Sequence, residues 1–284
     1  MQAIPHPSPV LAPTPVERRF VDTPSGRTHV AMTGQGFAVL LLHQTPRSWD
    51  EYRDVLPLLG QQFRVVAMDT MGFGDSAPLP AQTDSIERWA EAAFDLLDTL
   101  GISRCAVVGH HTGAVIAMEM AASRPSRVAA LVLSSCPWVD AARRAGHHGR
   151  RVIDDVTPRT DGAHLAELWQ RRRPFYPAAD TDLLTRFMCD ALKAGDRAAE
   201  GHRVVNRYEM EARAPLVRSP TLVLGATADP HAYPATPRVV EAIAGAERRD
   251  IDGGMVALPD QMPQAFADAV SRFLVGRLYL QPTP

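Results

Sequence analysis

Short, nearly continuous apolar runs alternate with amphipathic stretches along most of this chain. Residues 39–42, 64–68, 105–108, 129–133 and 221–224 are rich in β-branched and aliphatic side chains. Runs of that kind suit strands covered on both faces, as in a parallel sheet. Between them, Ile86, Trp89, Ala90, Ala93, Phe94 and Leu97 recur at i, i+3, i+4 spacing. That spacing predicts one apolar helix face, with Asp84 or Ser85 as its N-cap. Alternating strands and helices joined by short links predict a doubly wound, mostly parallel sheet with right-handed crossovers. Residues near 18–33 are expected to add two early antiparallel strands.

The alternation stops after Cys136. Residues 137–219 show no strand pattern but do show helical ones, such as Leu183, Phe187, Met188, Ala191 and Leu192, punctuated by Pro158, Pro174 and Pro177. The strand signal returns at Thr221. A helical block between two strands predicts a cap over the carboxyl edge of the sheet. The expected organisation is a flexible arm over 1–16, an α/β core over 17–136 and 216–284, and a helical cap over 137–215. The arm holds five prolines and no apolar stretch of signal-peptide length, so a polyproline-like segment and no secretory leader are expected.

Composition narrows the function classes. The 284 residues suffice for one large α/β domain with a lid, or for two small domains. A net charge of −2 leaves no footprint for nucleic acid or an anionic membrane surface. No apolar run reaches the ~18 residues of a spanning helix. Eight arginines fall between Arg143 and Arg173, interspersed with Asp154, Asp155, Asp161 and Glu167, and read as a solvated face. Cys105, Cys136 and Cys189 have no paired spacing, which predicts reduced thiols and a cytoplasmic location. Cys136 reads as a small buried hydrophobe.

The chemistry concentrates at residues 105–114. An apolar run leads into Gly109, His110, His111, Thr112 and Gly113, and a helical pattern follows. This is the strand–turn–helix of a nucleophile elbow, Gly-x-nucleophile-x-Gly. Serine, cysteine or aspartate is expected at its centre, and this chain has His111. Such a turn holds its central residue at strained, often positive φ, which histidine tolerates better than most residues.

Four further segments follow the same order as in a known family. They are Leu41-Leu42-His43-Gln44-Thr45-Pro46, Asp69-Thr70-Met71-Gly72-Phe73-Gly74-Asp75-Ser76, Leu224-Gly225-Ala226-Thr227-Ala228-Asp229-Pro230, and Asp252-Gly253-Gly254-Met255. With the elbow they resemble the α/β-hydrolase superfamily, in its capped branch of epoxide hydrolases, haloalkane dehalogenases and C–C bond hydrolases. The resemblance covers roughly residues 18–136 and 216–276. It implies an α/β-hydrolase fold, an oxyanion loop at Gln44 and Thr45, a triad acid at Asp229 and the triad base position at Met255. Gln44 stands where the family writes glycine.

The triad therefore reads His111, Asp229, Met255, keeping the acid and lacking an ordinary nucleophile and base. A thioether cannot exchange protons at working pH. The imidazole of His111, longer than a serine side chain, is expected to approach Asp229 directly or through one water. That pair would act as a base and its orienting carboxylate, with the N–H groups of Thr45 and Thr112 facing a developing oxyanion. The reading is an enzyme doing acid–base chemistry, as lyase, isomerase or general-base hydrolase, on a small, largely apolar substrate. His111 as covalent nucleophile, or as filler in a non-catalytic binding protein, stays open. Trp138, Trp169, Phe175, Tyr176, Phe187, Met188 and Tyr208 are expected to supply apolar pocket surface, with Trp138 and Met255 among the contacts. His43 and His110 read as structural, and His231 as an exposed loop residue or a second pocket base. His147 and His148 read as part of a solvated turn. No histidine pair has metal-ligand spacing, so neither metal nor cofactor is expected. Neither nucleic-acid nor membrane partners are expected.

Overall fold

The computed structural model describes residues 15–80 and 83–279. The arm expected over 1–16 falls largely outside them. Eight strands form one sheet in the order β1-β2-β4-β3-β5-β6-β7-β8. They are β1 Glu17–Thr23, β2 Gly26–Thr33, β3 Ala38–Leu42, β4 Arg64–Met68, β5 Cys105–His110, β6 Val128–Ser134, β7 Thr221–Ala226 and β8 Glu247–Ile251. β1 and β2 pair antiparallel, as do β2 and β4, and every pairing from β4 through β3 to β8 is parallel. The chain thus has the α/β-hydrolase architecture that its pattern and motifs implied.

The helices are α1 Leu56–Leu59, α2 Ile86–Thr99, α3 Thr112–Ser123, α4 Ala141–His147, α5 Ala163–Arg172, α6 Thr181–Ala194, α7 Glu200–Val205, α8 Met210–Arg213, α9 Thr236–Ala242, α10 Leu258–Gln261 and α11 Pro263–Leu278. Ser85 is the N-cap of α2, its side chain accepting the Arg88 N–H. The sheet separates two cores because alternate strand residues point to opposite faces. Leu40, Leu42, Val107, Leu131 and Leu133 meet α2 and α3 on one side. Leu41, Val108, Val132 and Leu224 meet α1 and α11 on the other. Helices α4 to α8 all lie between β6 and β7, and Leu168, Tyr176, Leu183, Phe187 and Met188 give this insert its own small core. No helix among the described residues is long and apolar enough to cross a membrane.

One strand has no apolar signature. β8 reads Glu-Arg-Arg-Asp-Ile, and only Ile251 is buried. As the outer strand it pairs through one edge only, so its backbone bonds to β7 suffice without an apolar pattern.

Candidate functional site

Strand β5 ends at His110 and α3 starts at Thr112, so His111 alone makes the turn. It does so at φ 47°, ψ −112°, its N–H donating to the Ser134 carbonyl at 3.0 Å. Glycine is required on both sides of it. A Cβ on Gly109 would lie 2.1 Å from the Gly113 carbonyl oxygen, and one on Gly113 would lie 1.9 Å from that of Leu42. Helix α3 can approach β3 and β5 this closely only without those side chains.

Asp229 follows the end of β7. Its Oδ1 accepts the N–H groups of His231 at 2.9 Å and Ala232 at 3.1 Å. Its Oδ2 lies 2.8 Å from His111 Nε2, approaching obliquely and not along an ideal hydrogen-bond line. Burial opposes ionisation of Asp229, but the adjacent imidazole and the two N–H donors outweigh it and hold the carboxyl well below its usual range. Behind the pair, His110 Nε2 donates to the Val256 carbonyl at 2.8 Å and Nδ1 accepts the Ser134 hydroxyl at 3.0 Å. Burial and the neighbouring His111 push its pKa down to about 3, so His110 is a neutral brace.

The loop after β3 is held as firmly. His43 donates from Nδ1 to the Gln44 carbonyl at 2.7 Å and accepts the Thr70 N–H on Nε2 at 2.9 Å. Gln44 gives its backbone N–H to Glu51 Oε2 at 2.9 Å and its side-chain amide to Oε1 at 2.6 Å. Burial pushes the Glu51 carboxyl up to about 8. The Thr45 and Thr112 hydroxyls meet at 2.9 Å.

A cavity of about 270 Å³ lies above this floor. Gln44, Thr45, His111 and Thr112 line it from the core, and Arg143, Arg172, His202 and Asn206 line it from the insert. Asp229 sits behind His111, out of contact with the cavity. Two expected contacts are absent from the wall, which takes their chain neighbours Pro137 and Val256 instead. Trp138 is turned to Asp140 and lies under the Arg238 guanidinium. Met255 is half-buried, with its N–H bound to Gln261 Oε1 at 2.7 Å. The aromatic lining expected of the insert is also absent. Tyr176, Phe187 and Met188 are spent on the insert's own core, and Tyr208 on a 2.7 Å bond to Glu119. A small helical layer must bury its large apolar side chains internally before it can offer any to a ligand.

A family model described as the alpha/beta hydrolase fold matches residues 38–258. The chain belongs to this family. Over 118 residues it is 36% identical to bifunctional epoxide hydrolase 2 of Sus scrofa, covering 41% of this chain and 21% of that protein. It is 35% identical to haloalkane dehalogenase 2 of Mycobacterium tuberculosis over 121 residues, covering 43% and 42%. The matched stretch is thus less than half the length of either relative. The enol-lactonase from Burkholderia xenovorans LB400 superposes with a TM-score of 0.75 over 90% of this chain and all of that one, at 20% identity. At that identity the likeness is one of fold.

In this α/β-hydrolase, several cavity residues escape a reading of the sequence. Arg172 pairs with the buried Asp154, which also meets His202 Nε2 at 2.8 Å. Burial disfavours the Asp154 anion, yet Arg172 and His202 together hold its pKa down at about 2. The arginines over 143–172 are therefore divided between solvent and cavity wall. Among the described residues, His29, Asp69 and Asp75 place their ligand atoms within 4.8 Å of one another. Asp69 is already occupied there by His29 and by the Asp75 and Trp49 N–H groups, and Asp75 pairs with Lys193.

Helix α7 rests directly on the loop after β3. A Cβ on Gly201 would lie 1.8 Å from Thr45 Oγ1 and 2.4 Å from Thr45 Cβ. Gly201→Ala should push insert and loop apart, with a loss of about 1–3 kcal/mol typical of overpacking. Urea unfolding checks this, and a variant as stable as the parent would show that α7 does not seat on Thr45.

Proposed function

We propose that the protein is an enzyme in which His111 works as a general base, oriented by Asp229, on a small organic molecule in the cavity. The observation that carries this reading is the 2.8 Å pair of His111 Nε2 and Asp229 Oδ2 at the cavity floor. An ionised Asp229 can only accept, so it favours the tautomer with hydrogen on Nε2. The Nδ1 lone pair is then left to take a proton. The imidazolium so formed is stabilised by the carboxylate beside it. Thr112 opens α3, so its N–H has no carbonyl partner within the helix. Together with the Thr45 N–H it would stabilise negative charge growing on a substrate oxygen. Elimination, isomerisation and hydrolysis by an activated water all begin with this proton transfer. None of them requires a bond between substrate and protein.

The test pairs His111→Ala and Asp229→Asn against a panel of activated esters and enolisable carbonyl compounds, with turnover in D2O to detect exchange at carbon. Both variants should lose about 10²–10⁴-fold in kcat. A fluorophosphonate probe should leave the peptide spanning Gly109 to Gly113 unlabelled. Wild-type turnover in both variants would overturn the reading. So would a substrate-derived adduct on His111, which would make it a nucleophile.

A further inference from the structure

We propose that the cavity takes a small organic monocarboxylate, its carboxylate held by Arg143 from the insert while its apolar part lies toward His111. This deepens the acid–base reading by naming a substrate class, although the binding itself needs no catalysis.

The cavity wall holds three arginines and four histidines and no carboxylate. The cations differ in how they are compensated. Arg172 is paired with Asp154, and Arg151 has Glu167 at 3.6 Å. Arg143 takes part in no ion pair among the described residues. It is fixed by one bond, Nε to Asn206 Oδ1 at 2.9 Å, which sets the plane of the guanidinium and leaves its terminal nitrogens to a ligand. Asp140, three residues earlier, is committed to capping α4 at the Arg143 backbone N–H and to Trp138 and Arg238. Burial pulls the Arg143 pKa down, as expected of a cation removed from water without a full counter-charge.

Arg172 has Asp154, Arg151 shares Glu167 with Arg171, and Asp229 faces His111, so Arg143 is the wall arginine left without a carboxylate, which suits an anionic ligand held at that one guanidinium. A planar fork held by one edge matches a carboxylate in bidentate geometry. The rest of the wall includes Pro137, Val152, Ile153, Val205 and Val256. Those residues suit an apolar body a few carbons long, and the volume of about 270 Å³ suits a molecule of that size.

Calorimetric titration of the protein with benzoate, benzamide and inorganic phosphate tests the proposal. Benzoate should bind at least about tenfold more tightly than either of the others. Arg143→Gln should weaken benzoate by about tenfold or more, and Asn206→Ala by less, since it only releases the guanidinium plane. Benzoate binding is read in the unaltered protein without any turnover, so loss of the catalytic reading and loss of this one are separable. Equal binding of benzamide, or unchanged affinity in Arg143→Gln, overturns the proposal. Tighter binding of phosphate overturns it in favour of a phosphorylated ligand. Should Arg143→Gln fail to fold, the benzoate and benzamide comparison on the unaltered protein decides.

Discussion

Arg47→Met is expected to cost about 3–5 kcal/mol of folding stability, the range for breaking a buried ion pair from one side. The Arg47 side chain is fully buried in the loop after β3. It pairs with Asp190 of α6, and with Asp260 of α10 at 2.8 Å. Ser48 and Arg186 extend the network through Asp190, Asp50 and Asp260. Removing the guanidinium leaves Asp190 and Asp260 buried without their main cation. Burial already raises the Asp190 pKa to about 6 and raises that of Asp260, with Arg47 opposing both shifts. Without Arg47 both carboxyls should rise further. A folded-state pKa above the unfolded one gives stability that is present below the unfolded value and lost as pH rises through the folded value. The penalty of Arg47→Met should therefore be larger at pH 8 than at pH 5. Urea melts at the two pH values measure it, and a loss below about 1 kcal/mol at pH 8 would mean that the network contributes little.

Gly113→Ala should cost more than about 4 kcal/mol or prevent folding, because its new Cβ meets backbone on β3 and neither partner is a flexible side chain. The Leu42 carbonyl carbon and oxygen would lie 2.4 and 1.9 Å away. Gly276→Ala is the matched control, in α11 with nothing within 4 Å of the added methyl. It should gain about 0.5–1 kcal/mol from helix propensity. Thermal midpoints and soluble yield of the two variants decide the point. A Gly113→Ala protein as stable as the parent would show that α3 does not need its close approach to β3.

How much of the protein was legible in its chain depends on which force acted where. Five parallel strands and α2 announced themselves through apolar periodicity, because each must bury a face against its neighbours. β8 did not, because an edge strand with charged faces is held by backbone bonds that side-chain pattern does not encode. Met255 and Trp138 were expected in the cavity on motif position and aromatic character. Each instead found a local partner one residue away from the cavity wall.

By itself the sequence determined the α/β order, the helical insert between β6 and β7, and the need for glycine around His111. These are local or nearest-neighbour matters of sterics and apolar pattern. Tertiary structure alone decided that His111 Nε2 would lie 2.8 Å from Asp229, a residue 118 positions away in the chain. It also decided which arginines of the insert would face water and which would face the cavity. An arginine carries the same signature in the chain whether it is solvated, spent on Asp154 as Arg172 is, or left on a cavity wall as Arg143 is. Charge compensation is long-range and depends on where the folded backbone brings the nearest carboxylate.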